Sequence, residues 1–269
     1  MTEDRCKDDR YAVRVLEFGR ADVRGPEVFW MSHWDEWVTL AFSAVLIRNA
    51  RRCVLLNAGM SRPDPELDRL WEEYSGHPRA RMRFGSSVCN QLRALGIDPG
   101  AVTDVVLSPF QAYSVSDVRE FPRATVHLLR SGWAEFLAPS RCYVLDQTQA
   151  RELSVPRGVM EYLLFDAWNR VNLLDDRDVI VPGVTSLSVG IHHPESLAVT
   201  VSTREGPVIW TDGIFHHENF SRRTPLGLTR SLAESSRLQK FLEGSGAAAV
   251  LPAYDSTLTE RYVHGVVAD

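Results

Sequence analysis

Two pairs of adjacent histidines are the residues of this sequence best suited to chemistry. His192-His193 and His216-His217 lie on either side of Asp212 in the last third of the chain. Imidazole and carboxylate groups can transfer protons near neutral pH, and they can also bind zinc or iron. Adjacent residues in an extended segment point to opposite faces, so each pair supplies at most one group to a common site. Two interpretations follow: a mononuclear metal site built from one histidine of each pair with Asp212, or polar loop groups that line a pocket.

A loop without acid, base or cysteine contrasts with these histidines. The run Val105 to Leu107 predicts a short buried strand, and the loop Ser108 to Ser114 leaves it as Ser-Pro-Phe-Gln-Ala-Tyr-Ser. No serine of the chain lies in the Gly-x-Ser-x-Gly turn that exposes a nucleophile in α/β-hydrolases. Covalent catalysis by serine is therefore disfavoured.

The segments that must position these residues alternate between strand and helix patterns. Short apolar runs bounded by turn residues predict strands at 14–17, 39–47, 53–56, 104–107, 124–128, 178–182, 185–189, 197–202, 207–211 and 247–251. Capping residues and periodic apolar faces predict helices at 65–74, after Ser86 or Ser87 up to Gly96, and from Thr224-Pro225 through Leu242. This order predicts an α/β fold of two sheets packed face to face with helices outside. We expect one domain over 1–269, with a helical or irregular insert around 131–168.

The bulk composition limits the classes of partner. The chain of 269 residues carries a formal net charge of −5, whereas nucleic acids and anionic membranes are bound by concentrated basic surfaces. The N-terminus lacks the apolar run of a signal peptide, and no stretch is long and apolar enough for a membrane helix. The four cysteines are widely spaced, which is typical of reduced thiols. We therefore expect a cytoplasmic protein with a small-molecule ligand and no nucleic-acid or membrane partner, and we leave a homodimer open.

An ordered series of short motifs resembles the metallo-β-lactamase-fold hydrolases, and in particular their N-acyl homoserine lactonase branch. Asn57-Ala58-Gly59 stands where the family has Asp-x-Gly after a strand, and 91–99 resembles the segment that precedes the strand carrying the family's metal motif. The segment 189–194 lies at the position of the branch's second histidine motif, and 207–220 resembles the strand that ends in its bridging aspartate. The matches run from about residue 39 to about residue 262. The resemblance implies a four-layer αββα sandwich.

At the metal-ligand positions that the resemblance implies, this sequence differs from the family. The family's other ligand positions carry residues that are not ligands of that kind: Pro109, Gln111, Tyr113, Ser114, Ser196 and Tyr254. Only Asp212 remains of the implied ligand set. Amide, hydroxyl and neutral phenol groups are poor ligands for zinc or iron, and a proline side chain cannot ligate. We therefore expect no metal and no other cofactor at these positions, so that a metal-bound hydroxide does not supply the nucleophile.

The resemblance also implies a cleft at one end of the two sheets. We expect Asp212 and His193 to transfer protons there, with Tyr113 and Tyr254 as polarising hydroxyl groups. The expected substrate-binding residues are Phe110, Gln111, Ser114, His192, Ser196, Phe215 and His216. The favoured hypothesis is a metal-independent enzyme of secondary metabolism that acts on a small acyl, lactone or cyclisable substrate. The alternative is a pseudoenzyme that binds a small ligand or a protein partner without turnover.

Overall fold

The strands of the protein form two sheets. The computed structural model describes residues 9–138 and 155–269. Strands β1 to β13 are Ala12–Arg24, Trp37–Arg48, Cys53–Leu56, Arg83–Phe84, Asp104–Leu107, Thr125–Leu129, Val171–Leu174, Arg177–Val181, Val184–Ser188, Leu197–Ser202, Pro207–Thr211, Ala249–Pro252 and Val266–Ala268. The first sheet has the order β13-β1-β2-β3-β5-β6-β7, with β4 paired to β1, and the second has the order β12-β11-β10-β9-β8.

The helices are short and lie between the strands along the chain. Helices α1 to α9 are Gly25–Val28, Pro65–Ser75, Val88–Ala94, Ala112–Val115, Arg130–Leu137, Arg157–Glu161, His217–Ser221, Leu232–Gly244 and Leu258–Arg261. Within the described ranges, no helix has the length and apolar character needed to cross a membrane. The described parts of the predicted insert contain α5 and α6, and its residues 139–154 lie outside the described residues.

The strand pairing brings the site-forming loops to one sheet edge. β2 and β3 form an antiparallel hairpin, whereas β3, β5 and β6 run parallel. A strand that is buried on both faces has a nearly continuous apolar sequence. All four residues of β3 and all four of β5 are buried, as expected for such strands. Because β3 and β5 are parallel neighbours, the turn after Leu56 and the loop after Leu107 leave the sheet at the same edge.

One apolar core joins the two sheets. Phe18, Leu56 and Leu107 from the first sheet and Val199 and Trp210 from the second belong to a single cluster of buried residues. Burial of about 25 cal/mol per Å² of apolar surface makes this shared interior the main source of stability. The arrangement agrees with the predicted α/β class and with two sheets packed face to face.

The predicted helix from Thr224 through Leu242 is wrong in its first half. Helix α8 begins at Leu232, where the Ser231 hydroxyl accepts a hydrogen bond from the Glu234 amide. The segment before it is a loop that packs against α1, and the Gly227 amide donates to the Val28 carbonyl oxygen. A Cβ atom on Gly227 would lie 1.8 Å from a backbone oxygen. Tertiary pairing therefore overrides the local capping signal of Thr224-Pro225.

Candidate active site

A left-handed turn after β3 fixes the loop that follows β5. Asn57 and Gly59 both have positive φ, at 66° and 79°. The Asn57 side chain accepts a hydrogen bond of 2.9 Å from the Ser108 amide. The Ala58 amide donates to the Ser114 carbonyl oxygen at 2.8 Å. The Asn-Ala-Gly turn therefore holds both ends of the loop 108–114.

The loop 108–114 presents alternate residues to a cavity and to the core. Gln111 and Tyr113 line the cavity. Phe110 is buried and packs edge-on against Trp133 and Phe136, with ring centroids 5.8 and 5.5 Å apart. Ser114 is buried behind the loop, and its hydroxyl has no hydrogen-bond partner among the described atoms. Phe110 and Ser114 were expected to bind substrate, but here they form part of the support.

The cavity has a volume of about 220 Å³ and a mostly apolar wall. It is lined by Ala21, Val23, Glu27, Leu40, Phe42, Trp71, Tyr74, Ser75, Ala80, Gln111, Tyr113, His192, His193, Phe215, Leu228 and Tyr254. Most of its polar groups come from the loops that follow β5, β9 and β12, and the apolar residues come mainly from β1, β2 and α2. A concave apolar pocket with a few convergent polar groups is the usual form of a small-molecule site.

The structure brings together one part of the predicted site. The predicted residues that line the cavity are Gln111, Tyr113, His192, His193, Phe215 and Tyr254. The remaining predicted residues lie behind the wall or beside it: Asp212, Phe110, Ser114, Ser196 and His216. Of the predicted proton-transfer groups, His193 therefore has access to the cavity, and Asp212 does not.

Asp212 is fully buried, and its two carboxyl oxygens have separate partners. The Leu197 amide donates to Oδ1 at 2.8 Å, and the Ser108 hydroxyl lies 3.3 Å from Oδ2. Burial raises the pKa of Asp212 to about 8, against the hydrogen bond from Leu197. Such a group is mostly protonated at pH 7, so it is not a ready proton acceptor.

The surroundings of Ser108 fit a protonated Asp212. The Ser108 oxygen lies 3.2 Å from the Glu195 carbonyl oxygen and 3.3 Å from Asp212 Oδ2. A serine hydroxyl carries one hydrogen, so it can donate to one of these two acceptors at a time. When it donates to the Glu195 carbonyl, the contact with Asp212 is a hydrogen bond only if Asp212 supplies the proton. Both buried groups are then satisfied.

His193 is backed by a carboxyl group that sequence reasoning missed. The Nδ1 atom of His193 lies 4.0 Å from Glu195 Oε1. The His193 side chain keeps 25% of its surface exposed, whereas the Glu195 side chain keeps 7%. The Phe110 amide donates to the same Glu195 oxygen at 3.1 Å and fixes the carboxyl group. The only signal in the sequence is an acid two residues after a histidine, with Pro194 between them.

Burial keeps the histidines of the cavity neutral. Burial and the charge of Arg230 lower the pKa of His193 to about 4. Burial and the neighbouring His193 lower the pKa of His192 as well. Burial raises the pKa of Glu195 to about 7, so this carboxyl group changes charge close to neutral pH. A neutral imidazole can accept a proton through one ring nitrogen while the other faces the carboxyl group.

Two tyrosine hydroxyl groups of the cavity wall contact each other. The Tyr113 and Tyr254 oxygens are 3.2 Å apart, and either can be the donor. Burial is the largest cause of a raised pKa at both phenols, so both stay protonated. Because one hydroxyl donates to the other, the pair keeps one hydrogen with which it can donate to a ligand.

Ser196 and His216 have structural roles. The Ser196 hydroxyl accepts a hydrogen bond of 2.9 Å from the His193 amide and so closes the turn that carries His193. His216 caps α7 by accepting from the Glu218 amide through Nδ1, and its Nε2 lies 3.5 Å from Asp255. These contacts explain why neither residue reaches the cavity wall.

A dinuclear metal centre does not fit the residues at the positions that the resemblance implies. Gln111, Tyr113 and Tyr254 offer amide and phenol groups, and the Asp212 oxygens are already engaged by Leu197 and Ser108. In residues 9–138 and 155–269, no three histidine, cysteine, aspartate or glutamate side chains converge in a way that could hold a metal ion. A site built from one histidine of each pair with Asp212 is therefore not formed by these residues.

Solved structures resemble this chain over nearly its whole length. A quorum-quenching N-acyl homoserine lactone lactonase has a TM-score of 0.71 at 14% identity, covering 97% of this chain and 100% of its own. The hydrolase AbOPH of the beta-lactamase superfamily has a TM-score of 0.65 at 17% identity, covering 95% and 89%. The chain has the metallo-β-lactamase fold.

A third solved structure also resembles this chain in fold. Another structure with the fold, the dizinc quorum-quenching lactonase AidC, has a TM-score of 0.61 at 13% identity, covering 96% of this chain and 94% of its own. No protein-family model and no curated protein matches the sequence. The four-layer αββα class predicted from the resemblance is confirmed. At this level of identity the similarity concerns the fold, and the function has to be argued from the site.

Proposed function

We propose that the protein is a metal-independent enzyme that acts on a small acyl, lactone or cyclisable substrate by acid–base chemistry. The observation that carries this proposal is the neutral His193 ring on the cavity wall, with the Glu195 carboxyl group 4.0 Å behind its Nδ1 atom. A histidine oriented by a carboxyl group is a common general base, and its geometry is often long before substrate binds. The hydrolytic scaffold of the fold is consistent with this chemistry.

The residues of the site have separate roles in the proposed reaction. The free ring nitrogen of His193 accepts a proton from water or from a nucleophile within the substrate. The Tyr113–Tyr254 pair donates its remaining hydrogen to the carbonyl oxygen, where negative charge develops. Gln111 offers an amide to a second polar group of the substrate. Asp212 is a positioning residue, because it holds the start of β10 and the Ser108 hydroxyl rather than the substrate.

A substrate panel tests the proposal. Purified protein is incubated with N-acyl homoserine lactones, simple γ- and δ-lactones and p-nitrophenyl esters of increasing chain length, with and without EDTA, after metal analysis. We expect turnover of one class that EDTA leaves unchanged. His193→Gln should lower kcat by about 100-fold or more, the range of general-base catalysis. Turnover that needs added zinc, or that survives His193→Gln, would contradict the proposal.

Two further variants serve as controls. Asp212→Asn keeps both hydrogen-bond positions and should retain most activity, whereas a catalytic carboxylate at this position would make the variant inactive. His264→Asn changes an exposed histidine in the C-terminal turn and should have no effect.

The alternative is a pseudoenzyme that binds a small ligand without turnover. The pairing of the two tyrosine hydroxyl groups with each other favours it, because they are hydrogen-bonded to each other without a reaction partner. Saturable binding of a panel member with no product, unchanged in His193→Gln, would support this alternative.

A further inference from the structure

The cavity wall has an uneven charge. Glu27 is the single carboxylate among the described residues that line it, and no lysine or arginine is among them. The two histidines of the wall are neutral, as shown above. As far as the described wall residues go, the site therefore offers a carboxylate and no positive side chain to a bound molecule.

Glu27 is partly desolvated and accepts a hydrogen bond from the backbone. The Arg24 amide donates to its Oε1 at 3.1 Å, across the start of α1. Burial raises the pKa of Glu27, against this hydrogen bond and the charge of Arg24. A carboxylate removed from water on an apolar wall is costly unless a donor or a cation meets it. A bound cation would offset this cost and lower the pKa again.

Aromatic rings form the wall of the same cavity. The Phe42 ring centroid lies 5.5 Å from Trp71, 5.1 Å from Tyr113 and 5.6 Å from Tyr254. The Phe215 ring lies 4.5 Å from Tyr254. The faces of aromatic rings attract cations, and grouped rings are the usual receptor for quaternary ammonium groups.

We infer that the cavity selects an apolar ligand that carries a protonated or quaternary ammonium group, with Glu27 as the counter-charge and the aromatic rings as a cation–π surface. This inference rests on the proposed function, because it names the substrate class of the same cavity. It predicts that a carboxylate of equal length is disfavoured by the same residues.

Matched short-chain probes test the inference on the full-length protein. Isothermal titration calorimetry at pH 7.5 compares n-hexyltrimethylammonium, n-hexanol and hexanoate. We expect the cation to bind about 10-fold or more tightly than hexanoate. Glu27→Gln keeps the acceptor for the Arg24 amide and removes the charge. It should weaken cation binding by about 5- to 10-fold and leave hexanol binding within about 2-fold.

Two variants separate charge from shape. Glu36→Gln removes an exposed acid from the loop after α1 and should leave all three affinities unchanged. Trp71→Leu should weaken binding of the cation more than binding of hexanol, because leucine keeps apolar area and removes the ring face.

The outcomes distinguish this inference from the proposed function. If hexanol binds in the cavity and the cation binds no better, the inference is overturned and the proposed function is unaffected. A cation preference that persists in Glu27→Gln overturns the assignment of Glu27. If none of the three probes binds, both the inference and the cavity of the proposed function are overturned.

Discussion

At the scale of single residues, the important relation is between His193 and Glu195. The pKa of Glu195 is raised to about 7, so the carboxyl group is ionised above that pH and neutral below it. An ionised carboxylate holds the hydrogen on the histidine nitrogen that faces it, and a neutral carboxyl group does so less strongly. The tautomer of His193 is therefore expected to depend on pH near 7.

The first prediction concerns this pair. In ¹⁵N NMR spectra, the ring nitrogens of His193 should shift with a midpoint near pH 7, because Glu195 titrates there. Glu195→Gln should remove this midpoint, whereas a change at the exposed His264, His264→Asn, should keep it. If an enzymatic assay is found, kcat should rise through the same midpoint in the wild type only. A midpoint that survives in Glu195→Gln would exclude Glu195 as its source.

The sequence predicts part of this chemistry. It identifies Gln111, Tyr113, His193 and Tyr254, since the resemblance aligns their segments with the ends of strands, and the structure brings them to one cavity. It does not show that Asp212 lies behind the wall, because depth in a fold depends on the packing of both sheets. Glu195 was missed because nothing local distinguishes an acid in a tight turn from a solvated one.

At the scale of secondary-structure elements, Gly59 is the position least tolerant of a side chain in the turn after β3. Its φ is 79°, and an added Cβ would lie 2.6 Å from the Val88 side chain of α3. Gly59→Ala should lower the free energy of unfolding by about 2–4 kcal/mol, because strain and overpacking add. Gly76→Ala is the matched control: it has φ of 67° but open space around the Cβ position.

Urea unfolding compares the two glycine variants. Gly76→Ala should cost about 1–2 kcal/mol, the cost of a left-handed conformation alone. Equal losses at the two positions would show that α3 moves away from the turn without cost.

A polar network around the buried side chains of His127 and Asp104 joins three parallel strands. The Nε2 atom of His127 on β6 is 2.9 Å from the Asp104 carboxylate on β5. Its Nδ1 atom is 3.1 Å from the side-chain amide nitrogen of Asn172 on β7. Arg52 lies 3.5 Å from the other Asp104 oxygen. Burial raises the pKa of Asp104, but the bond with His127, a hydrogen bond from Thr103 and the charge of Arg52 leave it lowered overall.

Removal of His127 should therefore be costly. His127→Leu leaves a buried carboxylate with weaker partners and should lower the free energy of unfolding by about 2–4 kcal/mol. The double variant His127→Leu, Asp104→Leu should recover part of this loss, because it also removes the buried Asp104 carboxylate that has lost its partner. Additive losses in the double variant would show that the two side chains do not depend on each other.

Elements were predictable where local signals and packing agree. β3, β10 and β11 have the predicted bounds, because each is a short apolar run between turn residues. The strands β4 and β13 have only two and three residues, so their pattern is too short to recognise. The loop that contains Gly227 resembled a helix start, and its contact with α1 is long-range information.

At the scale of the whole molecule, buried titratable groups link stability to pH. The folded pKa of Glu195 is about 7 and that of Asp212 is about 8, above their ordinary values of 4.5 and 3.8. Each stabilises the folded protein fully below its ordinary value, and this contribution is lost as pH rises to the folded value. His192 and His193 act oppositely, because their lowered pKa values make stability rise with pH up to their ordinary value of 6.5.

The net effect is expected to be clearest between pH 6.5 and 8. Within this window the histidine contributions approach their full value, Glu195 passes through its midpoint, and Asp212 still holds a proton that the unfolded chain has released. The free energy of unfolding should fall by about 1 kcal/mol for each pH unit in this window. Asp212→Asn imitates the protonated acid and should make the pH dependence nearly flat above pH 7. Glu36→Gln should keep the slope of the wild type, and an Asp212→Asn profile with that same slope would mean that Asp212 is ionised in the folded protein.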